Sequence, residues 1–480
     1  MQDHAIDTVK NQSLEEGARA MSETATDKKM HLFAMPMGAG GHIAGWRHPL
    51  ADAGRLQDVD YYQTVAQIAE RGKFDAMFLA DAQGFRTIVG KGAFARTDLY
   101  RMDPVTLLSA LSMTTSRLGL IATLSTSYNE PYSAARRLST LDHISHGRAG
   151  WNVVTSTTQN EAHNFGRDAH FGHSERYARA GEFIEVAKKL WDSWDDDAFV
   201  ADREAGSYID TDKVHAVNHA GEFFKVAGPM TTGRSPQGHP VIVQAGSSND
   251  GLTLAAATAE AVFTSHPSLT SAKAFYDDLK ARVVAAGRNA GDLKILTAIQ
   301  PIVAPTKEEA ERIEAELSDL IHPELAIALL QMQLGGFDLS AYDMDGPLPE
   351  IPQSGASQGT MKRIVEHAAR ENLSIIQTAR QIAAGRTSKT VTGTAEDVAD
   401  LLESWFTEGA ADGFVIAAPI LPDMLARFVD GVVPILQARG LFRQDYEGTT
   451  LRDHLGIARP ESRHVGRPDL HAEPEIWQAD

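Results

Sequence analysis

The segment Gln244-Ala-Gly-Ser-Ser-Asn-Asp-Gly251 sets a glycine and two small hydroxyl residues, Gly246, Ser247 and Ser248, where a helix can open. Free backbone N–H groups, the positive end of the helix dipole and two hydroxyls form an anion site suited to a single phosphate. The segment has no room for a triphosphate cradle. Tyr177 can either add a phenolic donor to that phosphate or sit as a core tyrosine on a helix stripe. Other residues with chemical potential directly follow apolar runs: Asp81 after AMFLA, Ser125 and Thr126 after IATL, and Asn152 to Thr157 as NVVTST. Singly, each could cap a helix or satisfy a buried backbone group. Together they describe a pocket edged with hydroxyls, one amide and one carboxylate, provided that the apolar runs are strands ending on one rim.

Several chemistries are absent from the sequence. Gly38–Gly45 (GAGGHIAG) looks like a dinucleotide loop, but it lacks the third glycine at the required offset and no helical pattern begins there. There is no Walker loop, no HExxH and no GxSxG elbow. The pairs His143/His146 and His170/His173 lack a carboxylate at a metal-binding offset, and such pairs arise by chance among 18 histidines. Cysteine is absent, which removes disulfides, thiolate zinc sites and cysteine nucleophiles and suits a reducing cytoplasm. An aldolase or metal hydrolase has neither a strand-end lysine nor a metal cluster to rest on.

The elements that must position these residues follow from an alternation of short β-rich runs and longer amphipathic patterns, the signature of βαβ units. The strand candidates are His31–Pro36, Asp75–Ala80, Leu118–Leu124, Arg148–Val154, Pro240–Ala245, Ala261–Thr264, Lys294–Val303 and Gly413–Ala417. They number eight, as in a TIM (β/α)8 barrel, an α/β fold. Between them, Pro131 suits the first position of a helix that stops at Gly147, Ser174 opens a helix running to Trp191, and Thr394 caps Ala395–Phe406. Two stretches exceed a minimal barrel: 195–239 between units 4 and 5, and 321–392 between units 7 and 8. The second contains GPLPEIPQSGASQG (Gly346–Gly359), read as a mobile segment and a possible lid, or else as a solvated surface loop. The domain reading is a polar leader over 1–28, one barrel over 29–440 and a C-terminal arm over 441–480 that lies on the barrel or on a second subunit.

With 64 acidic and 45 basic residues among 480, the formal charge is −19, which argues against nucleic acid and anionic membrane surfaces as partners. No apolar run has the length of a signal peptide or membrane span, so the expected location is the cytoplasm.

HIAGWRHP (His42–Pro49), ERGKFDAMFLAD (Glu70–Asp81), EPYSAARRLSTLDHISHGRAGWNVVTS (Glu130–Ser156), HSERYARAGEFIEVAKKLW (His173–Trp191) and PVIVQAGSS (Pro240–Ser248) together resemble the bacterial-luciferase-like flavin monooxygenases. The nearer branch contains the nitrilotriacetate, EDTA, dibenzothiophene sulfone and long-chain alkane monooxygenases, and the likeness runs from about Met30 to Pro460. The resemblance implies FMN that arrives reduced from a separate NAD(P)H-dependent flavin reductase. Reaction with O2 then gives a flavin peroxide that puts one oxygen atom into a small organic substrate. Carried over by motif, Asp81, Thr123, Ser125, Asn152 and Ser156 surround the flavin ring and ribityl chain, and Tyr177, Gly246, Ser247 and Ser248 hold the phosphate. His42 matches a family histidine near the reacting face of the flavin, a candidate proton donor or substrate-orienting group, with structural duty the alternative. Thr157 stands where some relatives carry a histidine, so any role of that imidazole is absent or moved. Relatives are usually homodimers or homotetramers. Two other readings remain: a deazaflavin-dependent hydride-transfer oxidoreductase on the same fold, and a non-catalytic flavin-binding subunit. The substrate itself is not legible in one chain.

Overall fold

The structure, a computed structural model, describes residues 28–85, 90–98, 100–351, 358–384 and 388–465. Eight parallel strands form its centre: β1 (His31–Ala34), β2 (Ala76–Leu79), β3 (Gly119–Ser125), β4 (Ala149–Val154), β5 (Val241–Gln244), β6 (Ala261–Thr264), β7 (Lys294–Val303) and β8 (Gly413–Ile416). Each pairs with the next in sequence, and β8 pairs with β1, so the sheet closes into a TIM barrel. Every strand matches an expected run: β6 and β7 coincide with it, β3 is displaced by one residue to end at Ser125, and the others are shorter at one or both ends where the chain leaves the ladder.

Alternation along the strands builds two cores. Phe33, Phe78, Ile121, Val243, Leu296 and Val415 point into the barrel, while Leu32, Met77, Leu120 and Trp151 point out against the helices. Both faces are buried, which is why the strands read as nearly continuous apolar runs. Thr123 and Asn152 lie two residues beyond Ile121 and Gly150 and therefore share the interior face near the carboxyl end.

The helix after β3 spans Pro131–Ile144 and stops three residues short of Gly147. The chain turns there through two left-handed residues, His146 (φ 57°) and Gly147 (φ 87°). After the short helix Gln159–Asn164, the long helix runs His173–Trp191, one residue earlier than Ser174, because Glu175 accepts the Gly172 N–H at 3.2 Å and fixes the first turn. Thr394 caps Ala395–Thr407 as expected.

The 195–239 insertion holds two short hairpins, Phe199–Asp202 with Ser207–Ile209 and His219–Ala220 with Lys225–Val226. Its later part is tied to the amino end of the barrel, through Arg234 on Asp192 and Gln237 on Asp142. The 321–392 insertion differs: helices Pro323–Gln333 and Ile375–Ala384 share a core with Ile43 and Ala44 of the β1 loop. Its final strand, Lys389–Gly393, pairs with the carboxyl half of β7. Part of GPLPEIPQSGASQG, residues 352–357, and the leader through residue 27 lie outside the described residues.

The stretch after Gly440 passes under the barrel. Leu451 and Leu455 join the interior core, and a Cβ on Gly119 would come within 2.6 Å of Leu451, so the bare glycine makes room for this plug. Among the described residues no helix is long and apolar enough to cross a membrane.

Candidate active site

The carboxyl ends of β2, β4 and β5 surround a cavity of about 360 Å³, lined by Asp81, Ser156, Glu161, Tyr177, Gln244 and Gly246 among others. Its volume falls within the roughly 300–1,000 Å³ of small-molecule sites. Each wall is set by local chemistry.

At the phosphate end, Ser248 caps the helix Asn249–Thr258, its Oγ accepting the Gly251 N–H at 3.1 Å and donating to the Tyr177 hydroxyl at 3.2 Å. The turn is compact: a Cβ on Gly246 would lie 3.0 Å from the Gly251 Cα, and one on Gly251 would lie 3.1 Å from the Tyr177 hydroxyl. Ser247 is exposed beside it. Bare backbone, a helix start, the Ser248 hydroxyl and the Tyr177 phenol thus lie together, a set of donors that suits an anion.

Deeper in the barrel, Asn152 Nδ2 donates to Thr123 Oγ1 at 2.9 Å, and Thr123 Oγ1 donates to the Leu79 carbonyl at 2.7 Å. That chain fixes the amide plane of Asn152, whose Oδ1 is buried with no hydrogen-bond partner among the described residues. Buried polar atoms are almost always paired, so an atom left open at this rim suits a polar ligand.

Ser156 adopts φ 52°, the left-handed region that non-glycine residues avoid. Its hydroxyl is held from two sides, by Ser125 Oγ at 2.7 Å and by Glu161 Oε1 at 3.0 Å, while Arg176 donates to its carbonyl. Glu161 also accepts from the Gln83 N–H at 3.1 Å and from the Thr157 and Thr158 N–H groups at 3.2 Å. Burial alone would raise this carboxyl, but the hydrogen bonds from Thr158, Ser156 and Thr157 outweigh it and hold the pKa below the ordinary value. Glu161 therefore ties the β2 loop to the β4 loop as an anion. Sequence reasoning passed over it, although Thr158-x-x-Glu161 is a capping box and was legible as one.

Asp81 has the opposite environment. Burial comes first and raises its pKa to about 6, the Ala82 N–H opposes, and Asp103 and Glu161 add to the rise. Among the described residues it makes no ion pair.

His42 stands apart. It lies in the loop after β1, buried, with Nδ1 accepting the Ala44 N–H at 3.2 Å, and burial lowers its pKa to about 4. The loop packs so closely that a Cβ on Gly40 would lie 2.1 Å from the Pro419 carbonyl oxygen. Thus Asp81, Ser156, Tyr177 and Gly246 share the cavity; Thr123, Ser125, Asn152 and Ser248 support it through hydrogen bonds; His42 does not line it.

A closed parallel barrel with a helix start and hydroxyl donors beside a polar, partly unsatisfied rim defines a TIM-barrel protein with a small-molecule-sized cavity at the carboxyl ends of its strands. The comparisons narrow this: the chain belongs to the luciferase-like monooxygenase family, whose pattern residues 37–412 match. It is 46% identical over 444 residues to N-acetyl-S-(2-succino)cysteine monooxygenase of Bacillus subtilis (strain 168), covering 92% of this chain and 100% of that one. It is 47% identical to nitrilotriacetate monooxygenase component A of Aminobacter aminovorans, with 92% and 99% covered. Among solved structures, riboflavin lyase with modified FMN and riboflavin superimposes with a TM-score of 0.80 at 34% identity, covering 94% of this chain and all of the other.

Proposed function

We propose that this chain is the oxygenase component of a two-component monooxygenase, using FMN reduced by a separate NAD(P)H:flavin reductase and O2 to insert one oxygen atom into a small organic substrate. The observation that carries the reading is the continuity of the Gly246–Ser248/Tyr177 phosphate site with the Asp81–Asn152–Ser156 rim, in a chain so close to a relative named component A. The residues fit the cofactor. The glycine-lined turn at Gly246 and Gly251 would take the phosphate, and the open Asn152 Oδ1 and the Asp81 carboxyl would meet the polar edge of the ring.

When bound and reduced, FMN supplies the oxygen chemistry, so the protein needs no nucleophile or metal of its own. The chain's part is placement, proton management and shielding. Asp81, with a pKa of about 6, can hold or release a proton near neutrality, while His42 stays uncharged and can act as a neutral donor or acceptor. The 321–392 insertion, packed on the His42 loop, restricts water on that side. The oxygenase would work in the reducing cytoplasm, which a cysteine-free chain suits, as a homo-oligomer whose size gel filtration measures.

The test is oxygen uptake and flavin absorbance after mixing the protein with photoreduced FMN and air, comparing wild type with Asp81→Ala and Ser247→Ala/Ser248→Ala. Reoxidation kinetics that differ from free FMN, and revert to it in the variants, are expected. If reduced FMN behaves as free flavin in the wild type, the reading fails, and a deazaflavin hydride-transfer assay becomes the next measurement.

A further inference from the structure

A second cavity, of about 180 Å³, lies between the β1 loop and the 321–392 insertion. Ile43, Ala44 and Trp46 form its apolar wall, and Arg47, Arg96 and His322 bring polar groups to it. The wall begins one residue after His42 and shares its hydrogen bonding, since the Ala44 N–H is the group bound to His42 Nδ1. In a chain with net charge −19, two guanidinium groups converging on one small pocket are a marked local reversal.

Their commitments are partial. Arg47 donates only to the Leu320 carbonyl, and its side chain is otherwise open to solvent. Arg96 donates to the Gly92 carbonyl at 2.8 Å, while its Nε is buried with no hydrogen-bond partner among the described residues. Among the described residues the carboxylate ion-paired with these arginines is Glu324, which meets Arg96 at 3.4 Å and is half exposed, so it neutralises at most one of the two charges. The His322 imidazole is lowered by burial first and then by the Arg96 charge, Glu324 opposing and Arg47 adding to the lowering, so both guanidiniums act on this site.

We propose that this pocket binds a carboxylate of the substrate, Arg47 and Arg96 gripping the anion while Trp46 and Ile43 pack its carbon chain, so that the oxidisable atom is presented on the His42 side. The substrate class is then a small organic acid, held by charge at one end. Arginine suits the task because its planar fork matches a carboxylate and its charge is not lost near neutrality. The proposal rests on the oxygenase reading for the meaning of the site, but not for its binding chemistry.

The experiment is calorimetric titration of the full chain, with and without oxidised FMN, using thiodiacetate and its uncharged dimethyl ester as probes. Thiodiacetate should bind and the ester should not. Arg47→Met and Arg96→Met should each weaken thiodiacetate by about 10- to 100-fold, the worth of one charge-assisted hydrogen bond, with FMN affinity unchanged. Arg47 is exposed, so its variant folds even where Arg96→Met does not, and Arg96→Lys, which keeps the charge without the fork, should fall between. Equal binding of acid and ester, no binding of either, or indifference to both substitutions overturns the proposal. If thiodiacetate binds as described while reduced FMN behaves as free flavin, the oxygenase reading falls and the anion pocket stands.

Discussion

The two ends of the barrel use buried charge in opposite ways. At the amino end, the buried carboxylates are satisfied within the fold, Asp142 by neutral donors from Ala149 and Gln237 and the others by ion pairs. Asp75 accepts from His31 Nδ1 at 3.0 Å, from the Leu32 N–H at 2.7 Å and from Arg443; Asp192 holds Arg234 and His239; Glu260 takes both Arg452 nitrogens. His454 is an exception, with both ring nitrogens unpartnered among the described residues. At the carboxyl end, Asp81 is left without an ion pair among the described residues, Asn152 keeps an open oxygen, and Ser156 is held in a strained conformation. The first pattern satisfies the fold by itself. The second leaves a polar group open to a ligand, and backbone strain of this kind gathers at functional sites.

The largest test of this contrast is at the amino end. Arg452→Met strips the largely buried Glu260 of guanidinium contacts at 2.6 and 3.1 Å and releases the His239 carbonyl. The expected cost is about 3–5 kcal/mol, as for other buried pairs that lose one partner. Urea denaturation should show that loss, while the FMN affinity of the folded fraction stays unchanged. A large fall in affinity with intact stability would reverse the roles of the two ends.

Next comes the acid response of His42. Its pKa in the fold, about 4, lies below the ordinary 6.5, so the unfolded chain binds the proton first and the stabilisation present above pH 6.5 is lost as pH falls towards 4. The two and a half units correspond to roughly 3 kcal/mol. Asp81 runs the other way: with a pKa of about 6 in the fold, its contribution is full below 3.8 and declines as pH rises through 6. Stability curves from pH 4 to 7 should therefore be less acid-sensitive in His42→Asn than in wild type, and more so in Asp81→Asn. Parallel curves for all three proteins would show that neither group is buried as described.

A third, smaller effect is expected of Glu161→Gln. The amide keeps one acceptor oxygen but loses the charge that gathers Ser156, Thr157, Thr158 and Gln83, at a cost of about 2 kcal/mol. Here FMN binding should weaken together with stability, because the same carboxylate fixes the Ser156 turn at the rim. Fluorescence titration of FMN against a melting curve separates the outcomes, and an affinity equal to wild type would show that the turn is not part of the cofactor site.

The barrel was legible because its physics is periodic. Strands buried on both faces leave apolar runs such as Leu118–Leu124, and the intervening helices carry caps such as Thr394 with Asp397. The helix start at the candidate phosphate end was legible for a related reason, since Gly246-Ser247-Ser248 is a local motif and Ser248 does cap the helix Asn249–Thr258. What the sequence hid depends on contacts across the fold. Nothing in the polar stretch after Gly440 announces that Leu451 fills the space left by Gly119, more than 300 residues earlier. The pairing of Arg47 with Arg96 around one cavity is likewise invisible, because they come from the separate loops after β1 and β2, which the fold ties together where Trp46 Nε1 donates to the Arg96 carbonyl at 3.3 Å. Glu161 is the instructive intermediate: its capping role was readable, but its grip on Ser156 and Gln83 joins two strand ends and could be seen only in three dimensions.

The finest test compares one helix cap at each end of the barrel. Ser248 Oγ accepts the Gly251 N–H at 3.1 Å at the carboxyl end, and Thr450 Oγ1 accepts the Asp453 N–H at 3.1 Å at the amino end. Replacing either by alanine removes one capping bond, worth about 1 kcal/mol, so Ser248→Ala and Thr450→Ala should lower the melting temperature to a similar, small degree. Their effects on FMN should differ completely. Ser248 also donates to Tyr177 and stands at the glycine turn, so its loss should weaken FMN and inorganic phosphate alike, whereas Thr450 only starts the helix that carries the Leu451 plug. Equal affinities in the two variants would mean that Ser248 is a cap and nothing more, and would move the phosphate away from Gly246.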